Sequence, residues 1–376
     1  MLRQPNYLLL AHENIQHRKT KRKYIKFIII SIILMMTVGG VSAAYFIRDT
    51  VQPPELPSAP PVSFNLSIPV TEQAPEPVSS DEYKEGYWFD DFIEMPNPLT
   101  FDGWDRRDDF FTVLIIGLDG GGNANVIMVG AYDHAEQRGY LLSIPRDTRV
   151  DVQRNRRKIV AAYPVGQLNG GGHQGGIERM KQEVQTLIGF KPDFYVLVDF
   201  NAFIRIIDAF GGVEIYVPFD KIYDDPYQDL HIDIPAGLQM LNGEQALHFV
   251  RYRRGNDRSM TITDYQRIEN QQLVISTLLN DMMSPRTILQ IPEMIRTYRE
   301  YVSTDLQIGE KLWFAAQFFN IRDVAAISTY TLPMLGTSGA PAWYELPDRD
   351  GILNLVNRSF NPFNQYITED MLRIVQ

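Results

Sequence analysis

The chain has 376 residues, a formal charge of −10 at pH 7, no cysteine and six histidines without metal-ligand spacing. The negative balance excludes general nucleic-acid binding, so any anion site must be a local concentration of arginine. Lack of cysteine removes thiol nucleophiles and zinc ribbons, and the Gly-x-Ser-x-Gly elbow of hydrolases is absent.

Residues 1–26 form a polar tail ending in a basic cluster of Arg18, Lys19, Lys21, Arg22 and Lys23. Residues 27–47 then carry no charged side chain. At about 1.5 Å of rise per residue, a helix of that length crosses the roughly 30 Å hydrocarbon layer. Basic charge on one flank puts the tail in the cytoplasm and the chain from Arg48 onward outside, as a single-pass cell-membrane protein. A cleaved signal peptide is the competing reading, with Ser42, Ala43 and Ala44 as its small-residue site. Its apolar stretch is normally only about 7–15 residues.

Residues 48–109 begin with a proline-rich stalk (Pro53, Pro54, Pro57, Pro60, Pro61, Pro69, Pro75 and Pro77), which favours extended conformations and buries no core. Its last part is acidic and aromatic, with Tyr87, Trp88, Phe89, Phe92 and Trp104, and reads as a strap against the domain that follows.

The domain covers 110–283. Apolar runs at 111–118, 125–132 and 139–144 predict three strands. A helix is expected over 176–188, stopped by Gly189 in a left-handed cap. A strand at 194–199, a helix at 201–209 and a strand at 213–217 come next. Asn242 and Gln245 form a capping-box pattern opening a helix to Val250. A longer helix fits 263–283, ended by Pro285. Such alternation implies an α/β fold, a three-layer α-β-α arrangement with a central mixed sheet flanked by helices, preceded by one transmembrane helix. Residues 284–376 read as a helical extension with a strand-like piece at 324–331. Trp343 and Tyr344 there fit a pocket cover and simple packing equally well.

If the first three strands form a meander, Asp119, Asn125 and Pro145-Arg146-Asp147 meet at one sheet edge, where α/β folds bind ligands. Asp119-Gly120-Gly121-Gly122 fits either a nest of backbone N–H groups for an anion or a plain glycine turn. Basic residues gather at Arg154, Arg156, Arg157 and Lys158, and again at Arg251, Arg253, Arg254, Arg258 and Arg267. Arg251 and Arg253, two apart, share a face if that segment is extended. Guanidinium forks suit pyrophosphate oxygens, although a charge run is also commonly just a solvated face.

With these residues laid out, the chain resembles the LytR–CpsA–Psr family. The resemblance rests on Ser143-Ile144-Pro145-Arg146-Asp147-Thr148 and Lys158-Ile159-Val160-Ala161-Ala162-Tyr163. It continues in Tyr195-Val196-Leu197-Val198-Asp199-Phe200 and Asp208-Ala209-Phe210-Gly211-Gly212-Val213. Leu241-Asn242-Gly243-Glu244-Gln245-Ala246-Leu247, then Val250-Arg251-Tyr252-Arg253, and finally Arg267 with Gln271-Gln272 complete it. It implies a membrane-anchored phosphotransferase that moves a glycopolymer, such as teichoic acid or capsule, from a polyprenyl-pyrophosphate carrier to peptidoglycan. By the same resemblance Arg146, Arg251, Arg253, Arg267 and Gln271 hold the pyrophosphate, with the four arginines as the catalytic set. Asp119 and Asn125 correspond to the Mg²⁺ site, and the polyprenyl tail to an apolar groove between sheet and helices.

The chain departs from the family pattern at this edge. Gly120, Gly121 and Gly122 stand where an arginine usually follows the first Asp, and Asn125 stands where a second carboxylate leads the next strand. Asn270 and Val160 replace a further Arg and Asn. Losing a carboxylate weakens a hard-cation site. The alternative expectation is therefore a catalytically weakened relative that binds polyprenyl-linked glycans as an envelope receptor, scaffold or regulator.

Overall fold

The computed structural model describes residues 104–374 apart from 155, 228–229, 259, 283–290, 308, 312, 315–316, 318–326 and 340–342. The expected tail, membrane span and nearly all of the stalk and strap lie outside the described residues. No helix among the described residues is long and apolar enough to cross a membrane. Gln307–Ala315 cluster apart from Glu55–Leu306 and Ala316–Gln376, and the fold below is that of the latter two segments.

In chain order the strands are β1 (Phe110–Leu118), β2 (Ala124–Asp133), β3 (Arg138–Ser143), β4 (Phe194–Val198), β5 (Val213–Val217), β6 (Lys221–Asp225), β7 (Leu230–Ile234), β8 (Gly237–Leu241), β9 (Ser303–Thr304), β10 (Ile327–Thr331), β11 (Met334–Thr337) and β12 (Glu345–Pro347). The main helices are α1 (Gly172–Ile188), α2 (Phe200–Ala209), α3 (Gly243–Arg251), α4 (Asp264–Met282), α5 (Ile291–Tyr301) and α6 (Arg349–Ser359).

A six-stranded sheet of order β10-β3-β2-β1-β4-β9 forms the centre. The β1–β2–β3 meander is antiparallel, while β4 joins β1 and β10 joins β3 in parallel. Continuous apolar sequence in β1 follows from burial on both faces. On one face Leu114, Ile116, Ile127, Val129 and Leu142 pack with Ile177, Met180, Val184 and Leu187 of α1 and Ile352, Leu355 and Val356 of α6. The opposite face meets α4, whose Gln272 Nε2 donates to Ser143 Oγ (2.9 Å) and to the Tyr330 carbonyl (3.1 Å). The mixed sheet with helices on its faces is thus the observed fold.

The second face is less completely covered. Val113, Ile115, Val126, Val196 and Val198 share it by register and remain only half-buried. These residues form an apolar strip along this side of the sheet.

A second core joins α2, α3 and the small pairs β5–β8 and β6–β7 through Ile207, Val213, Ile215, Val217, Leu230, Ile232, Phe249 and Tyr252. Several motif residues act here as scaffolding. Asp199 caps α2 by accepting from the Ala202 N–H at 2.7 Å. Asn242 and Gln245 form the expected capping box of α3. Asp208 Oδ1 accepts from the Gly243 N–H at 2.8 Å, tying the end of α2 to the start of α3. Gly189 adopts φ 82° at the end of α1, as a left-handed cap requires.

The strand-like piece expected at 324–331 coincides with β10, but the helical reading of the rest of 284–376 is incomplete. The described residues of this segment include α5 and α6 but also β9 and β10 of the central sheet and the β11–β12 pair. The unexpected strands β9, β11 and β12 have only two to four residues each. The strap's described end packs on the domain. Arg106 Nη2 bonds the buried Asp193, Arg107 Nη2 donates to Asp133 at 2.8 Å, and Trp104 meets Phe363 edge-on with ring centres 5.4 Å apart.

Candidate anion site

Asp119 follows β1, Asn125 lies at the start of β2, and Arg146 follows β3, so the meander delivers all three to one edge. They form one hydrogen-bonded chain. Arg146 Nη1 donates to Asn125 Oδ1 at 2.9 Å, and Asn125 Nδ2 donates to Asp119 Oδ2 at 2.7 Å.

The glycine turn folds inward and is not a nest. The Gly121 and Asn123 N–H groups donate to Asp119 Oδ1 at 2.9 and 2.8 Å, and the Gly122 N–H donates to the Asp119 carbonyl at 3.0 Å. Gly122 has φ 79°, which explains a glycine at that position. The side chain of Asn123 lies within 3.4 Å of both carboxylate oxygens. Such a donor set does not fit a hard divalent cation, which needs several oxygen ligands with free lone pairs. Among the described residues no group of three or more Asp, Glu, His or Cys is placed to hold a metal.

Arg146 lines a pocket together with Asn125, Met128, Arg267, Ile268 and Gln271. Its segment is fixed from below, because its carbonyl accepts from the Val160 N–H at 3.0 Å and the Thr148 carbonyl accepts from Ile159 at the same distance. The Ser143–Thr148 and Lys158–Tyr163 motifs thus meet in space. Arg146 Nε is buried without a hydrogen-bond partner, and no carboxylate among the described residues forms an ion pair with it. Burial and the neighbouring Arg146 charge bring the Arg267 guanidinium down to about 10. The two guanidinium charges of the pocket thus disfavour one another.

Asp264 answers part of that charge. It accepts from Arg267 Nη1 at 2.8 Å and from Arg253 Nη2 at 3.2 Å. Burial works to raise its pKa, but Arg267, Arg253 and Arg146 together hold the carboxyl below its ordinary range. Arg253 itself is exposed. Arg251 stands apart from the pocket. It closes α3, stacks 4.7 Å from the Phe200 ring centre, and is lowered by burial against the raising fields of Asp119 and Asp225. It makes no hydrogen bond among the described residues.

Sequence reasoning missed Asp264 and Glu345. Thr263 and Gln266 exchange capping hydrogen bonds of 2.8 and 3.1 Å, a signal that places Asp264 three residues before Arg267 on the first turn of α4. Glu345 joins the same pocket from β12, and it accepts from the Tyr265 hydroxyl at 3.2 Å. Burial and Glu345 push that hydroxyl up to about 12. Gln271 lines the pocket, whereas Gln272 is a sheet-to-helix tie. Arg154, counted with the basic residues, is buried on Glu183 and takes no part in the site. Lys158 bonds Asp147 at 3.0 Å beside it. Trp343 is exposed, and Tyr344 packs against Arg149, with the guanidinium 5.9 Å from its ring centre.

Arginines from three separate segments, Arg146, Arg253 and Arg267, thus converge on Asp264 beside one edge of an α/β sheet. The chain belongs to the LytR_cpsA_psr family, whose model matches residues 82–359. It is 26% identical over 239 residues to the regulatory protein MsrR of Staphylococcus aureus, covering 62% of this chain and 68% of that protein. It is 30% identical over 219 residues to the polyisoprenyl-teichoic acid–peptidoglycan teichoic acid transferase TagV of Bacillus subtilis, covering 55% of this chain and 53% of TagV. The crystal structure of B. subtilis TagV matches with a TM-score of 0.54 at 27% identity, covering 66% of this chain and 94% of that one.

Proposed function

We propose that this chain transfers a glycopolymer from a polyprenyl-pyrophosphate carrier to peptidoglycan, anchored in the membrane through residues 27–47. Membership of the family, with TagV as a teichoic acid transferase among its relatives, supports glycopolymer transfer in general terms. The observation that carries the reading to this chain is Arg146, a half-buried guanidinium beside Arg267 with an unpartnered Nε and no paired carboxylate. A pyrophosphate placed there accepts from Arg146, Arg267 and Gln271, with Arg253 at its margin. The half-buried valines of the second sheet face give an apolar path for the lipid tail.

In the reaction an acceptor hydroxyl of peptidoglycan attacks the sugar-bearing phosphorus. The bridging P–O bond breaks, polyprenyl phosphate departs with the electron pair, and the hydroxyl proton passes to solvent. The arginines stabilise charge as it shifts to the leaving phosphate.

A second reading, a receptor or regulator that binds the lipid-linked glycan without turnover, is favoured by the closed hydrogen bonding of Asp119. The test incubates the full chain with lipid-linked glycopolymer and peptidoglycan and follows polyprenyl phosphate release. Release that disappears in Arg146→Ala supports the transferase. Binding without release sinks it in favour of the receptor.

A further inference from the structure

Asn125 sits between a group that only accepts hydrogen bonds and a group that only donates them. Its amide orientation follows from that chemistry. The N–H must face the Asp119 carboxylate and the oxygen must face the Arg146 guanidinium, as their 2.7 and 2.9 Å bonds show. To offer its oxygen to a cation shared with Asp119, Asn125 would have to break both bonds. Asp119 is no freer. Oδ1 takes two backbone N–H groups and Oδ2 takes the Asn125 amide, with Asn123 Nδ2 within 3.4 Å of both. Arg251, whose charge is felt at Asp119, and Arg146 add repulsion toward any cation arriving there.

We propose that this chain engages its pyrophosphate without a divalent cation, with Asn125 linking Asp119 to Arg146 through its amide. The inference rests on the pyrophosphate reading above. The amide is a hydrogen-bonded spacer between a carboxylate and a guanidinium. It fixes the position of Asp119 relative to Arg146, orients Nη1, and leaves the rest of that guanidinium directed at the pocket. Asp119 then acts as a positioning residue and never as a metal ligand.

The experiment titrates the full chain with geranylgeranyl pyrophosphate by calorimetry, in Mg²⁺ and in EDTA. Affinity is expected to agree within about twofold between the two buffers, and Arg146→Ala should weaken binding equally in both. Mg²⁺ alone should leave the thermal midpoint of the wild type unchanged. In Asn125→Asp, two adjacent carboxylates should create a demand for a cation. There Mg²⁺ alone should raise the midpoint, and EDTA should weaken ligand binding by at least about tenfold. Wild-type binding that falls tenfold in EDTA, or a wild-type midpoint that rises with Mg²⁺, would overturn the inference and leave the pyrophosphate site standing. No binding in either buffer would remove that site and the inference together. The wild-type comparison decides the matter even if Asn125→Asp does not fold.

Discussion

Arg154 and Glu183 form an ion pair in the interior of the domain, their side chains 4% and 0% exposed. Arg179 shares the carboxylate, its Nε donating to Oε1 at 2.8 Å. Arg154 also donates from Nε to the Arg156 carbonyl at 2.7 Å and from Nη2 to the Lys158 carbonyl at 2.8 Å, so the pair holds the loop that supports Arg146. Glu183→Ala leaves buried guanidinium charge uncompensated and is expected to cost about 3–5 kcal/mol of stability. Denaturant unfolding measures it, and a loss under about 1 kcal/mol would refute this role.

Lys221 is 1% exposed and enclosed by Phe219, Tyr252 and Phe249, with Nζ 4.3, 4.6 and 5.1 Å from the ring centres. Burial lowers its pKa from 10.5 to about 8. Between those values the unfolded chain binds a proton that the folded chain has released, so stability rises with pH through that window. The full gain is on the order of 3 kcal/mol. Thermal unfolding at pH 7.5 and 9.5 tests it, with Lys221→Met as the reference whose stability changes less across the same interval. Equal pH slopes for the two proteins would exclude the effect.

Gly243 opens α3 where a Cβ would come within 2.7 Å of the Ile204 Cα on α2. Backbone cannot yield as a side-chain tip can. Gly243→Ala is expected to cost about 1–3 kcal/mol through overpacking, visible as a lower midpoint in urea. An unchanged midpoint would mean that α2 and α3 separate easily.

The apolar strip gives a prediction that distinguishes lipid from anion. Val198→Trp, on the half-buried face beside Gly117, should weaken geranylgeranyl pyrophosphate roughly tenfold or more while leaving inorganic pyrophosphate unaffected. Equal weakening of both ligands would place the tail elsewhere.

Much of the fold was legible because periodicity and caps were strong. Gly189, Asn242 with Gln245, and the apolar runs of β1 to β4 announced their elements, and the meander fixed which residues share an edge. Of the sheet's outer strands β10 was legible as a strand-like piece, whereas β9, with two residues, was not. At the site, arginines could be gathered by chemistry, but their partners could not. Whether Arg154 meets an anion or a buried Glu183 depends on helix packing far along the chain. Whether three glycines cradle a ligand or wrap their own carboxylate depends on turn geometry at Gly122, which composition does not record.

The parallel pairing of Thr331 with Ser143 also governs the timing of assembly. At synthesis rates of about 5–20 residues per second, the partner of β3 emerges some 10–40 seconds after β3 itself. Until then that strand edge is an unpaired template, and Glu345 and the Gln272–Tyr330 tie do not exist. A nascent or prematurely terminated product would carry every arginine of the site and still lack its wall. The wall of the pocket therefore closes in one late event, when β10 and β12 dock.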